Sequence, residues 1–235
     1  MQWHSNPFSS RFVRPGQVAF QFPPGVDAIG LVARLRSFRW RAQIVGPHGT
    51  GKSTLLHALL PTLREQGRDI VWYTLSAGQR RLGVPIVVPA GRPGSERTAA
   101  LRATSGVMPD EPSGSSDTDA IVAHWCRSTL VIVDGYEQLG IAARLRLRTK
   151  CHYSGAGLLV TSHSSTGLPT LFETHVSFET FHTLVSQLAG GKLDWIDPVE
   201  LRSCYERAAG NARDAFFELY DRYETRQSRD GVFND

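Results

Sequence analysis

Residues 46–53 read Gly-Pro-His-Gly-Thr-Gly-Lys-Ser and match the pattern GxxxxGK[ST] at all of its fixed positions. The pattern follows Arg41-Ala-Gln-Ile-Val45, a short apolar run that stops at a glycine, as a buried strand does. It precedes leucines at positions 55, 56, 59, 60 and 63, whose spacing is helical. A strand, a glycine-rich loop and a helix therefore follow one another, which predicts an α/β fold.

The glycine-rich loop is predicted to bind phosphate groups. Glycines allow successive backbone N–H groups to point inward at phosphate oxygens, and the following helix adds its positive N-terminal end. Lys52 can reach the β- and γ-phosphates of ATP, and the hydroxyl of Ser53 suits Mg²⁺. We expect the nucleotide to contact nine consecutive residues: Gly46, Pro47, His48, Gly49, Thr50, Gly51, Lys52, Ser53 and Thr54.

A second apolar run, Leu130-Val-Ile-Val-Asp134, ends in a carboxylate. Mg²⁺ prefers octahedral oxygen ligands, and phosphate loops of this kind pair with an acidic residue on a neighbouring strand. We therefore expect Ser53 and Asp134 to hold Mg²⁺ and Glu137 to polarise the attacking water. The bland alternatives are that Asp134 only forms a turn at the strand end and that Glu137 is a solvated helix carboxylate.

Strands and helices alternate along most of the chain. Further strands are predicted at 69–75, 157–161 and 174–178, and helices at 28–36, 119–127 and 138–153. Such alternation implies a parallel sheet, here of five strands, with helices on both faces. The predicted fold class is a three-layer αβα nucleotide-binding domain.

The composition divides the chain into three segments. Residues 1–25 are rich in Pro, Phe and Gly and predict an irregular leader. Residues 26–179 form the predicted nucleotide-binding core, in which the Gly, Pro, Ser and Arg of residues 78–118 indicate a mobile insertion. Residues 180–235 predict a small helical lid, with helices at 181–188, 197–209 and 211–226.

Four motifs resemble those of the AAA+ and STAND groups of P-loop ATPases. Asp134-Gly-Tyr-Glu-Gln138 resembles the Walker B motif of STAND ATPases, and residues 46–53 are the Walker A motif. Leu158-Leu-Val-Thr-Ser-His163 is similar to the sensor-1 strand of AAA+ proteins. Gly210-Asn-Ala-Arg213 is similar to the sensor-2 motif on the lid helix of initiator-like members.

The resemblance implies roles for several residues and an order for the strands. Thr161 or Ser162 would read the γ-phosphate, and Arg213 would contact phosphate and couple it to the lid. With Lys52 and Glu137, these residues form the expected catalytic set. The strand ending at Thr161 would lie between the strand bearing Asp134 and the strand before the Walker A loop. The implied activity is ATP hydrolysis that drives a conformational switch.

The resemblance also has departures and rivals. The AAA+ Walker B usually reads Asp-Glu, whereas Gly135 follows Asp134 here. An arginine finger could come from Arg144, Arg146 or Arg148, although a solvated basic helix face is the favoured explanation for them. Three other functions stay open. An ABC-like ATPase would use His163 as a switch, a P-loop kinase would phosphorylate a small molecule, and an ATP-binding adaptor would hydrolyse little.

Composition sets broader expectations. The 235 residues carry 26 Lys and Arg against 22 Asp and Glu, a charge that is compatible with nucleic-acid contact but does not require it. The three cysteines are far apart in sequence and lack CxxC spacing, which favours reduced thiols and a cytoplasmic location. No apolar run is long enough to span a bilayer, so membrane insertion is not expected. The expected partners are ATP and either a second copy of the chain or another protein.

Overall fold

The computed structural model describes residues 6–90 and 124–232, with side chains as far as 228. Its helices are α1 (Ser10–Val13), α2 (Ala28–Ser37), α3 (Lys52–Glu65), α4 (Ile141–Ser154), α5 (Phe178–Leu188), α6 (Pro198–Arg207) and α7 (Ala212–Val232). Its strands are β1 (Arg41–Val45), β2 (Asp69–Thr74), β3 (Ile86–Val88), β4 (Thr129–Asp134), β5 (Gly157–Ser162) and β6 (Thr170–Glu173).

The chain divides into two compact units. The first, which we call the helical unit, comprises Met1–Gly25, Val45–Ala58 and Glu173–Asp235. The second, the sheet unit, comprises Val26–Ile44 and Leu59–Phe172.

The six strands form one sheet in the order β3-β2-β4-β5-β1-β6. β2, β4 and β5 are parallel neighbours, with Asp69 opposite Thr129 and Leu130 opposite Gly157. β5 lies between β4 and β1, so the strand order implied by the family resemblance is confirmed. The chain is thus an α/β protein with a mostly parallel sheet.

Two details of the predicted sheet are wrong. The sheet has a sixth strand, β3, which lies within the predicted insertion and pairs antiparallel with β2. The last strand is Thr170–Glu173 and not 174–178, because Val176 and Phe178 pack into the core of the helical unit. The rest of the predicted insertion, 91–118, lies outside the described residues. So does most of the predicted helix 119–127, and residues 124–127 are not helical.

The helix predicted at 138–153 begins later than expected. Gly135 is left-handed at φ 85°, and Tyr136–Gln138 form a single 3-10 turn before α4 begins at Ile141. α4 then packs Leu147 and Cys151 against inward-facing residues of β2, β4 and β5. Every residue of β4 before Asp134 is buried, as expected for a central strand covered on both faces.

The helical unit has its own apolar core, formed by α5, α6 and α7. Three helices are present where the sequence predicts them within residues 180–235, with ends shifted by a few residues. Phe8, from the predicted leader, is fully buried among them, and its ring stacks on Phe216 and meets the edge of Tyr223. The leader is not wholly irregular, since it contains α1. Glu200 and Glu218 pair with Arg207, Arg222 and Arg226 on the surface of this unit.

Candidate functional site

The predicted phosphate loop, residues 46–51, and Lys52 after it belong to the helical unit. Lys52 is the first residue of α3 and is largely buried. Its Nζ donates to the carbonyl oxygen of Gly46 at 2.7 Å and to that of Pro47 at 2.6 Å. The ammonium is therefore held against the first turn of the loop that follows β1. Ser53 and Thr54 are the next two residues of the helix and are partly exposed, whereas His48 is exposed on the loop.

Thr174, which follows β6, braces the loop from the side. Its hydroxyl lies 2.7 Å from that of Thr50, which donates to the carbonyl of Pro47 at 2.9 Å. A Cβ at Gly46 would lie only 2.2 Å from the Thr174 hydroxyl and 2.5 Å from its carbonyl. The sequence pattern fixes a glycine at 46 but does not reveal Thr174, because the two are far apart along the chain.

The other two loop glycines lie in the left-handed region. Gly49 has φ 68° and Gly51 has φ 90°, which side-chain-bearing residues rarely adopt. At Gly49 the space is also filled, because an added Cβ would lie 1.6 Å from Asn211 Oδ1 and 3.2 Å from the backbone nitrogen of Arg213. The tip of the phosphate loop therefore contacts the start of α7 directly.

Asn211 caps the helix that carries Arg213. Its Oδ1 accepts hydrogen bonds from the backbone N–H groups of Arg213 at 3.1 Å and Asp214 at 3.4 Å. Its Nδ2 donates to the Asp214 carboxylate at 2.6 Å. The Arg213 side chain is exposed, and within residues 6–90 and 124–228 its guanidinium has no hydrogen bond or ion pair. The arginine thus lies on the first turn of α7, beside the loop tip.

The predicted acidic site lies in the sheet unit, at the carboxyl ends of β4 and β5. Thr161 donates its hydroxyl hydrogen to Asp134 Oδ1 at 2.6 Å and accepts from the backbone N–H of Gly135 at 2.9 Å. A hydroxyl has only one hydrogen to donate, and that of Thr161 is donated to Asp134, which orients the carboxylate. Ser162, the other sensor candidate, is buried and accepts from the backbone of Ser164 at 3.4 Å.

Gly135 takes the place of the glutamate that the predicted Walker B resemblance would have after Asp134. Besides its positive φ, a Cβ there would lie 2.7 Å from the carbonyl oxygen of Leu75. The departure from the Asp-Glu pair therefore has a local structural cause, since the close approach of the segment after β2 excludes a side chain at this position.

Glu137 contacts His163, the residue after β5. Its Oε1 lies 2.8 Å from His163 Nε2, while its Oε2 is buried and has no hydrogen-bond partner among the described residues. Arg144 fixes the backbone of this turn by donating to the carbonyls of Glu137 at 2.6 Å and Leu139 at 2.8 Å. Glu137 also borders an open cleft of about 400 Å³ lined by Gly78, Arg80, Gln138, Leu139 and Gly140.

The three arginines considered as an arginine finger divide into two kinds. Arg144 is engaged with the turn after β4, and Arg148 donates to the Tyr136 hydroxyl at 3.0 Å and the Thr166 carbonyl at 2.5 Å. Both arginines therefore hold other segments of the chain in place through hydrogen bonds, whereas Arg146 is exposed on α4.

Gln43 anchors the segment that carries His163. This buried side chain accepts from the backbone N–H of Thr166 at 2.7 Å and its hydroxyl at 2.8 Å, and donates to Ser165 and Thr170. All of its polar capacity is used in holding the segment between β5 and β6. The sequence signal for this anchoring role is a single amide side chain within an apolar strand, and the strand prediction assigns no role to it.

Two features are absent from the described residues: a cluster of metal-binding side chains and a membrane-spanning helix. The described residues contain no group of three or more His, Cys, Asp or Glu that could hold a metal ion. They also contain no helix long and apolar enough to cross a membrane.

Comparison with known proteins gives little. No family model and no curated protein matches the chain. Thirty-nine chains of solved structures match it, among them PCH-2 of C. elegans. That match is 13% identical with a TM-score of 0.38, and it covers 95% of this chain and 73% of PCH-2. A similarity this weak supports no conclusion about function, which rests on the residues described above.

Proposed function

We propose that the chain binds Mg-ATP and hydrolyses it to drive a conformational switch of the AAA+ or STAND type. The observation that carries the proposal is the position of Lys52, whose ammonium is held on two carbonyls of a loop built from glycines. An ammonium buried beside a glycine-rich loop is well placed to bind an anion, because its hydrogen bonds to carbonyl oxygens can be replaced by hydrogen bonds to phosphate oxygens.

The bound nucleotide would be shared among residues of defined chemistry. Backbone N–H groups of Gly46 and of residues 48–54, at the N-terminus of α3 and in the loop before it, would bind the phosphates. Ser53 and Asp134 would hold Mg²⁺, which neutralises charge on the phosphate oxygens. The hydrogen bond from Thr161 supports this role for Asp134, because it fixes one carboxylate oxygen and leaves the other for a ligand.

The remaining residues would serve hydrolysis and its coupling to the lid. Glu137 would orient the attacking water, with His163 setting the direction of its carboxylate. Ser162 would read the γ-phosphate. Arg213 would contact phosphate from α7. The contact between Asn211 and Gly49 would transmit movement of the loop to the lid at 180–235.

Titration calorimetry with ATP and Mg²⁺ tests the proposal. Lys52→Ala should weaken binding about 100-fold, because charge-assisted hydrogen bonds contribute roughly 1.5–3 kcal/mol each. Lys192→Ala, at an exposed lysine elsewhere in the same unit, is the matched control and should bind as the unaltered chain does. Absence of Mg-ATP binding by the unaltered chain, or undiminished binding by Lys52→Ala, would contradict the proposal.

The contact between Glu137 and His163 also favours a second candidate, an ATP-binding adaptor with little hydrolysis. One oxygen of the Glu137 carboxylate contacts the His163 imidazole and the other is buried. A carboxylate in this position is poorly placed to accept a proton from water. Single-turnover hydrolysis separates the two candidates. Turnover that Glu137→Gln abolishes favours the ATPase, and equally slow loss of ATP in both proteins favours the adaptor.

A further inference from the structure

Basic side chains collect at one edge of the sheet, the edge from which its central strands begin. β2, β4 and β5 are parallel, and the bond from Leu158 N to the Trp40 carbonyl brings the start of β1 to the same edge. The segments leading into these strands, with the last turns of α4, contribute a set that we call the basic edge: Arg36, Arg39, Arg68, Arg127 and Lys150.

Direct contacts join several members of the basic edge. The Arg68 guanidinium lies 3.6 Å from the centre of the Trp40 ring, and its Nη1 donates to the Arg127 carbonyl at the next strand. Burial, together with the charge of Arg36, lowers the pKa of Arg68. Arg68 therefore lies against Trp40 and the backbone of Arg127, and within electrostatic reach of Arg36.

The described carboxylates form no ion pairs with this surface. Among the described residues, no member of the basic edge has an ion pair with Asp or Glu. The contrast is with the helical unit, where Arg207, Arg222 and Arg226 share two glutamates. Asp69, at the start of β2, instead accepts from the backbone of Ala90 and the hydroxyl of Ser128. Within the described part of the chain, the basic edge therefore offers positive charge to an external anion.

The turn that presents Arg39 is unusual. Arg39 and Trp40 have φ 55° and 62°, two successive side-chain-bearing residues in the left-handed region. Hydrogen bonds from Arg39 N to the Arg36 carbonyl and from Trp40 N to the Leu35 carbonyl hold this conformation. It leaves Arg39 exposed beside Arg36, and persistence of such strain often accompanies a binding surface.

We propose that the basic edge binds the phosphate backbone of a nucleic acid. Guanidinium groups match phosphate in shape and charge and supply paired donors. The Trp40 ring is covered by Arg68, so this surface would contact backbone and would not stack on bases in preference. The expected binding is therefore largely independent of nucleotide sequence.

An anionic membrane is the poorer match. Interfacial membrane binding needs apolar side chains as well as charge. Tyr153, at the end of α4, is the one large apolar side chain exposed at this edge within the described residues. Ile141 and Leu145 are exposed on the opposite half of α4, toward the carboxyl ends of the strands.

The dimensions of the edge set the expected strength of the salt effect. The starts of β2 and β1 are three strand spacings apart, about 14 Å at ~4.8 Å each. Each strand of a DNA duplex has one phosphate for every ~3.4 Å of helix axis, so the edge spans roughly four phosphates of one DNA strand. The logarithm of the association constant should then fall with the logarithm of salt concentration with a slope of about −3 to −4, a loss of roughly 100-fold between 50 and 200 mM.

Fluorescence anisotropy of the full chain with labelled 20-base-pair DNA, single-stranded DNA and RNA tests the proposal. The triple variant Arg36→Gln/Arg39→Gln/Arg127→Gln should bind at least ~10-fold more weakly and show a slope smaller by about 3. Arg68 is left unchanged because it packs on Trp40. The control Arg11→Gln/Arg81→Gln/Lys192→Gln loses the same net charge from exposed positions elsewhere and should retain both affinity and slope.

Two further measurements make the result decisive. Cys126 is exposed and its charge couples to Arg68, so bound nucleic acid should slow its alkylation. The measurements are repeated with Lys52→Ala, so that nucleic-acid binding is judged independently of ATP binding. The proposal is overturned if the control triple variant loses as much affinity as the edge variant. It is also overturned if polyglutamate or anionic vesicles bind as tightly as nucleic acid, or if the unaltered chain shows no salt-dependent binding.

Discussion

Glu137 Oε1 and His163 Nε2 lie 2.8 Å apart and connect the turn after β4 to the end of β5. The backbone on each side of the pair is fixed independently, by Arg144 at the Glu137 carbonyl and by Gln43 at Thr166. With both backbone segments held by these hydrogen bonds, the imidazole contact sets the direction of the carboxylate.

The first prediction concerns this pair. Glu137→Gln should retain ATP binding but lose roughly 10²- to 10⁴-fold in kcat, the usual contribution of a general base. His163→Ala should lower kcat about 10-fold with little change in KM, because it removes only the orientation of the base. His163→Gln, which keeps a donor, should recover part of the loss. Steady-state hydrolysis with a separate binding measurement checks these outcomes.

The double variant Glu137→Gln/His163→Ala distinguishes orientation from an independent role. If His163 acts only through Glu137, the double variant should hydrolyse no more slowly than Glu137→Gln alone. A further loss would show that His163 has a separate function. A faster His163→Ala protein would show instead that the imidazole withholds the carboxylate, in keeping with an adaptor.

The second prediction concerns the contact of Gly49 with Asn211. Gly49→Ala would place a Cβ 1.6 Å from Asn211 Oδ1, so either the loop or the start of α7 must shift. We expect ATP affinity to fall at least ~10-fold and stability to fall by about 2 kcal/mol or more, from strain and displacement of the cap. Calorimetry and urea unfolding measure the two effects.

Gly67→Ala is the matched control, since Gly67 has a similar φ of 71° but nothing within 4 Å of its Cβ position. It should show the backbone strain alone. Asn211→Gly in the Gly49→Ala background should restore part of the stability, because glycine caps a helix nearly as well as asparagine and removes the clash. Equal destabilisation by both alanine variants would mean that the Asn211 contact has no energetic weight.

Local patterns were predicted well, and long-range contacts were not. The strand, glycine-rich loop and helix around residues 46–53 are recognisable from the sequence because their determinants are adjacent residues. Gln43 and Thr166 are 123 positions apart, and the partners Thr50 and Thr174 are 124 apart. Each looks ordinary in its own segment, so periodicity and motif spacing cannot reveal the pairing. β3 was missed for the same reason, because three residues become a strand only by pairing with β2.

The third prediction concerns Gln43. Gln43→Leu should leave the backbone N–H of Thr166 and the hydroxyls of Ser165 and Thr170 without their buried partner. Unmade buried hydrogen bonds cost roughly 1–3 kcal/mol, so unfolding free energy should fall by about that amount. Because the segment also carries His163, kcat should fall more than ATP affinity does.

Gln21→Leu provides the comparison for Gln43→Leu. Gln21 is partly exposed, and its bond to Gln187 is accessible to water, so its loss should change stability by less than about 0.5 kcal/mol. If Gln43→Leu were equally mild, or lowered ATP affinity and kcat in the same proportion, Gln43 would not act through the His163 segment.

The fourth prediction concerns the three cysteines, which differ in exposure. Hydrogen bonding to Ser128 lowers the pKa of the exposed Cys126, whereas burial raises the pKa of Cys151 to about 11 and also raises that of Cys204. A lowered pKa means more thiolate near neutrality, and at pH 7.5 Cys151 would be less than ~0.1% thiolate. In the folded chain, one thiol should therefore react quickly with a disulfide reagent, and all three should react in denaturant.

The pH dependence of the fast reaction tests the cause assigned to it. Its rate should reach half its maximum below pH ~8.5, the value of an ordinary cysteine, and Ser128→Ala should move that midpoint upward. The Ser128 hydroxyl also bonds the Asp69 carboxylate at 2.9 Å, which competes with the thiolate for its hydrogen. Asp69→Asn should therefore move the midpoint further down. Unchanged midpoints in both variants would show that the Ser128 hydroxyl does not stabilise the thiolate.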